Sequence, residues 1–160
     1  MTRSLLATTA ATYENRFIAY VDILGFENLV NQSEETSDPS LESLLDLTRK
    51  LGSSEDNVRY AQSGLRVTQV SDCVVVSSEV SPAGIINLLQ HCFETSINLL
   101  MVGRLCRGYA TRGNIFHADR QFMGSGYMKA YRSTEKSGGA PFIKMINPCA
   151  HTLRGKVLGR

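Results

Sequence analysis

The sequence predicts an α+β fold, an antiparallel or mixed sheet of the ferredoxin-like kind with helices packed on one face. Three features carry that expectation. Runs rich in β-branched and aromatic residues, RFIAYVD (16–22), LRVTQV (65–70) and CVVVSS (73–78), are bounded by glycines or polar pairs. Segments with apolar residues at helical spacing fall between those runs. Only Ser71-Asp72 separates the second run from the third, which reads as a hairpin.

The elements follow in order. Arg16 to Asp22 form the first strand, and Gly25 permits a tight turn beyond it. Phe26 to Val30 open a helix that the polar segment NQSEETSDPS (31–40) interrupts. Asp38-Pro39-Ser40 offers a cap and a first-turn proline to a second helix, SLESLLDLTRKL (40–51), whose leucines fall on helical spacing. GSSEDNVRYAQSG (52–64) is a loop by composition, and the hairpin follows. Pro82 marks the start of the longest helix, AGIINLLQHCFETSINLLMVG (83–103), with an apolar face wide enough to cover a sheet. CRGYATRGNIF (106–116) returns to strand character, with glycines where another backbone or a ligand can come close. A polar turn, a glycine-opened helix YMKAYRSTEK (127–136) and a short strand PFIKMI (141–146) complete the chain.

The 160 residues fit one domain, 1–160, with residues 1–14 as a frayed start. Seventeen basic against fifteen acidic residues give a net charge of +2, too small to imply nucleic-acid binding. No apolar run reaches the ~20 residues of a membrane span, and no secretory signal is evident, so a cytoplasmic protein without a membrane partner is expected. Cys73, Cys92, Cys106 and Cys149 form no CxxC pair and read as free thiols.

Two carboxylates stand out. Asp22 closes the first strand and Asp72 sits at the hairpin tip; if the first strand lies beside the hairpin, they meet on one sheet edge. Asp22 could cap the next helix and Asp72 could fill a turn position. Together they could instead hold magnesium or manganese, and the glycine turn would offer backbone N–H groups to a phosphate.

The VDILGF stretch (21–26) resembles the F-x-D-I-x-G-F strand and turn of class III nucleotide cyclases. VSDCVVVS (70–77) resembles their second metal aspartate at the hairpin, CRGYATRGNIF their R-x-G-I-x-x-G strand, and FMGSGYMKAYRSTE (122–135) their G-x-N-x-A-x-R helix. The order holds over about four fifths of the chain. In detail the motifs look closest to the pyrimidine cyclases of bacterial Pycsar anti-phage defence.

That resemblance implies a class III cyclase fold converting UTP or CTP to the 3′,5′-cyclic monophosphate and pyrophosphate. It implies two Mg²⁺ or Mn²⁺ ions on Asp22, Asp72 and the Ile23 carbonyl, with the Leu24, Gly25 and Phe26 amides cradling phosphates. Arg132 takes the place of the family's catalytic arginine, and Met128 stands where the family's ribose asparagine would be. Thr68 and Gln121 occupy the two base-reading positions, where neither purine pair is present. Arg107 and Arg112 lie five apart on one strand, so at most one faces the site, and Arg112 is preferred for phosphate contact. A homodimer with composite sites and a separate cyclic-nucleotide effector complete the implied set. The alternatives are a catalytically silent, nucleotide-binding cyclase-like domain and a purine cyclase; a GGDEF-type enzyme would need a hairpin this chain lacks.

Overall fold

The computed structural model describes residues 11–52, 64–118, 121–139 and 141–145. The elements are β1 (Glu14–Ile23), α1 (Phe26–Thr36), α2 (Leu41–Arg49), β2 (Arg66–Val70), β3 (Cys73–Glu79), α3 (Pro82–Leu100), β4 (Cys106–Ala118), β5 (Gln121–Met123), α4 (Ser125–Lys136) and β6 (Ile143–Met145). The strands form one sheet in the order β2-β3-β1-β4-β5, with β6 pairing β4 in parallel and the other pairs antiparallel. The expected α+β class and mixed sheet are therefore present.

β1 is central, and both of its faces are covered. Ala19, Val21 and Ile23 join Leu29 of α1, Leu44 and Leu47 of α2, and Leu88, Cys92 and Leu99 of α3 in one core. Ile18 and Tyr20 point the other way, into a second core with Val75, Ile115 and Ala130, flanked by Phe122 and Tyr127. Period-2 alternation sends neighbours on β1 into different layers. Helices thus lie on both faces of the sheet, and the expectation of a single covered face is corrected: among the described helices, α4 packs on the side opposite α1, α2 and α3. Its approach to β4 is backbone to backbone, since a Cβ on Gly113 would stand 2.8 Å from the Gly126 Cα. Those glycines serve the close contact for which the sequence marked the strand.

Local chemistry explains the helix ends. The Ser40 hydroxyl accepts from the Ser43 N–H at 3.3 Å, and the Ser81 hydroxyl from the Gly84 N–H at 2.9 Å with Pro82 in the first turn of α3. Three expectations shift. α1 continues to Thr36 through the polar segment, because only one face of this surface helix needs apolar residues and Leu29 supplies its buried anchor. Pro39 precedes the cap of α2 and is outside its first turn. The turn expected after β4 holds a three-residue strand, β5, whose Phe122 pairs with His117 in register. Most of the 52–64 loop lies outside the described residues.

Candidate active site

β1 delivers Asp22 to its end, where it faces the α4 side of the sheet with Ile18 and Tyr20. Register pairs Asp22 with Cys73 on β3 and with Arg107 on β4. Asp72 is therefore one residue diagonal to Asp22, in the β2–β3 turn, and the Asp72 carbonyl accepts from the Ile23 N–H at 3.1 Å. The two aspartates are neighbours across the β1–β3 edge, as the hairpin placement requires, and close enough for the charge of Asp72 to act on Asp22. Asp22 is buried and Asp72 half-buried.

Arg107 binds the Asp22 carboxylate through both oxygens: Nε donates to Oδ1 at 3.0 Å and to Oδ2 at 3.2 Å, and Nη2 donates to Oδ2 at 3.1 Å. Nη2 also donates to Glu135 of α4 at 2.8 Å, and Nη1 to the Gly138 carbonyl at 3.3 Å. Burial raises the Asp22 pKa; Arg107 pulls it back down, and the charges of Asp72 and Glu135 add to the rise. The net direction is upward because the desolvation of a carboxylate outweighs one guanidinium. Arg107 moves upward in turn, held charged chiefly by its bonds to Asp22. Beside them, burial raises Tyr20 and Cys73 as well, so neither is ionised near neutrality.

The sequence reading weighed Arg107 but preferred Arg112, and it missed Glu135. Alternation permitted only one of Arg107 and Arg112 to face the site, and register decides between them. Arg112 pairs with Phe17, shares its face, and donates from Nε to Asn15 at 2.6 Å, on the layer opposite Asp22. Asp22 lies one residue from the end of β1 and Arg107 one from the start of β4, a signal available once those strands are taken as antiparallel neighbours.

The turn after β1 behaves as its glycine suggests. Gly25 adopts φ 74°, the left-handed region, and stands at the N-cap of α1 without a capping side chain. Leu24 donates to the Leu105 carbonyl at 2.9 Å, so its N–H is committed to the fold. No described group accepts from the Gly25 or Phe26 N–H, which leaves two donors at the start of an eleven-residue helix.

The remaining residues are dispersed. Arg132 is exposed on α4 with no hydrogen bond or ion pair to any described residue, and Met128 lies on the same helix, 39% exposed. Thr68 is buried, its hydroxyl 2.9 Å from His117 Nε2. His117 Nδ1 meets the Ser77 hydroxyl at 2.8 Å, and Ser77 accepts from Arg16 Nε at 3.0 Å. Arg16, Ser77, His117 and Thr68 form one continuous chain of buried hydrogen bonds. Thr68 thus belongs to a buried polar network. Gln121 is exposed on β5, and alternation turns it away from the face that Phe122 shares with His117. The two base-reading candidates are not brought together.

The donor set is compatible with a hard cation. Two aspartates at a strand end match the oxygen chemistry of magnesium, which commonly takes one or two carboxylates and completes its shell with water and phosphate. Among the described residues no group of three or more His, Cys, Asp or Glu side chains could cage an ion. A metal here would rely on the substrate for the rest of its shell.

The fold is that of the catalytic domains of class III adenylyl and guanylyl cyclases. A bacterial light-regulated adenylyl cyclase superposes with a TM-score of 0.60 at 18% identity, over 86% of this chain and 44% of that one. A class III adenylyl cyclase-like ATP-binding protein from Pseudomonas aeruginosa gives 0.58 at 15% identity, over 82% and 33%. The guanylate cyclase domain of RhGC from Catenaria anguillulae, in complex with GTP, gives 0.53 at 16% identity, over 77% and 73%. The chain thus spans less than half the length of the first two and about three quarters of the third. No protein-family model and no curated protein matches the sequence. No described helix is long and apolar enough to cross a membrane.

Proposed function

We propose that this chain is a nucleotide cyclase domain, joining the 3′-oxygen of a nucleoside triphosphate to its α-phosphorus with loss of pyrophosphate. One observation carries the reading. A buried carboxylate, Asp22, lies beside a second, Asp72, and a left-handed glycine opens a helix with free N–H groups immediately after it, on a fold shared with cyclases. A carboxylate buried at a raised pKa is costly for folding, which points to a use.

In that reaction Asp22, Asp72 and the Ile23 carbonyl would hold Mg²⁺ or Mn²⁺, which lowers the pKa of a bound hydroxyl and neutralises phosphate charge. The protein's own part is positional. The Gly25 and Phe26 amides bind terminal phosphate oxygens. Arg107, already held over Asp22, presents a fixed cation to the triphosphate when its bonds to the carboxylate are exchanged for phosphate. Arg132, unengaged among the described residues, is available to a site on a second copy, which supports a homodimer with composite sites. A pyrimidine base, UTP or CTP, is supported by the Pycsar resemblance alone, because Thr68 is bonded to His117 and Gln121 is turned away from that face. That resemblance also supports a role in anti-phage signalling through a separate effector.

A second reading has its own support. Both Asp22 oxygens are occupied by Arg107, and Met128 stands at the asparagine position, as suits a nucleotide-binding domain without turnover. Incubation with each of the four nucleoside triphosphates and manganese, followed by chromatography, separates the readings. A cyclic product from UTP or CTP that is lost in Asp22→Ala and Asp72→Ala supports the proposal. Product from ATP or GTP alone removes the pyrimidine assignment, and no product from any of them leaves the silent domain.

A further inference from the structure

α3 is apolar on two sides. Leu88, Cys92, Thr95 and Leu99 are buried against the sheet. A second stripe faces outward: Ile86 is 61% exposed, Leu89 40%, Phe93 66%, Ile97 39% and Leu100 56%. Surface helices carry one apolar face, and a helix apolar on two sides normally has something against both. Scattered exposed apolar residues need no explanation, whereas five in line over four turns do.

The stripe is symmetric. Leu89 and Ile97 are each four residues from Phe93, and Ile86 and Leu100 each seven. Two antiparallel helices related by a two-fold axis bring residue 93 + k of one opposite residue 93 − k of the other, so a stripe that reads the same in both directions is complementary to itself. We propose that α3 is a self-association face, pairing antiparallel with α3 of a second copy about an axis beside Phe93. Leu89 of each copy then meets Ile97 of the other, Ile86 meets Leu100, and the two Phe93 rings face each other at the centre. The 3-4-4-3 spacing is that of a helix seam.

Size and charge agree with this occupant. Burying five such side chains on each of two copies removes on the order of 1,000 Å², the lower bound for a specific interface. Along α3 the only Asp, Glu, Lys or Arg is Glu94, whose carboxylate accepts from Gln90 at 2.9 Å. Little opposes an apolar pairing, and nothing on the helix suits a highly charged partner.

The face lies on the α1–α3 side of the sheet, whereas Asp22, Arg107 and α4 lie on the other. The inference is therefore independent of the cyclase reading, and a protein using both contacts would assemble beyond a dimer.

The test is sedimentation of the full chain at a fixed micromolar concentration, wild type against Phe93→Glu, with far-UV circular dichroism confirming that both are folded. The mass of the main species is expected to fall twofold in the variant. Register is tested by thiol cross-linking on folded protein. A mixture of Ile86→Cys and Leu100→Cys should link into a dimer absent from either variant alone and from wild type. An unchanged mass in Phe93→Glu, or Ile86→Cys linking to itself as readily as to Leu100→Cys, overturns the proposal.

Discussion

His117 should make this protein acid-labile. Its ring is buried between Thr68 and Ser77, and burial, with the charges of Arg16 and Arg66 nearby, lowers its pKa from 6.5 to about 4. Above pH 6.5 the imidazole is neutral in the folded and unfolded chain alike. Between 6.5 and 4 the unfolded chain takes up a proton that the folded chain refuses, so stability falls as the pH falls, and the slope ends below 4. That gap corresponds to about 3 kcal/mol, a large share of the ~5–15 kcal/mol that holds a domain together. Asp22, with a raised pKa, acts in the opposite sense: its contribution is full at acid pH and is lost as the pH rises through its folded value. Comparison with His117→Gln cancels Asp22 and every other carboxylate. Glutamine can keep a donor and an acceptor toward Thr68 and Ser77 without titrating. Urea unfolding followed by circular dichroism at pH 7, 6, 5 and 4 should show wild type losing about 3 kcal/mol more than His117→Gln across that range. Parallel pH dependences in the two proteins would refute the buried neutral imidazole.

Two further substitutions probe the site and the packing that supports it. Arg107→Ala leaves Asp22 buried without its cation and is expected to cost about 2–3 kcal/mol at pH 7, below the full value for a wholly buried pair because Arg107 is partly exposed. Most of that loss should return in the Arg107→Ala, Asp22→Asn double variant, and a double-mutant cycle with no coupling would show that the pair contributes nothing. Gly113→Ala forces a methyl against the Gly126 backbone and should lower stability by about 1–3 kcal/mol by pushing α4 off β4, read as a drop in the thermal midpoint; an unchanged midpoint would mean the two glycines are not in tight contact.

Much of the fold was legible because it depends on local pattern. The β-branched runs at Arg16–Asp22 and Cys73–Ser78, the two-residue link at Ser71-Asp72 and the Ser81-Pro82 start of α3 are each decided within a few residues, and the structure places strands, hairpin and helix there. The extension of α1 through NQSEETS was less legible, since a surface helix with one buried anchor has a weak apolar period. β5 was invisible because a three-residue strand has no period of its own and exists through its pairing with β4.

The sequence by itself determined the chemistry available at the strand end: a carboxylate at 22, another at 72, a glycine at 25, and the order in which strands and helices arrive. Tertiary structure decided which groups meet. Register put Arg107 on Asp22 and sent Arg112 to the opposite layer, turned Thr68 into a partner of His117, and left Arg132 facing solvent. Side-chain identity is a local property, whereas adjacency across a sheet depends on pairing between residues about 85 positions apart in the chain, a separation at which period and propensity carry no information.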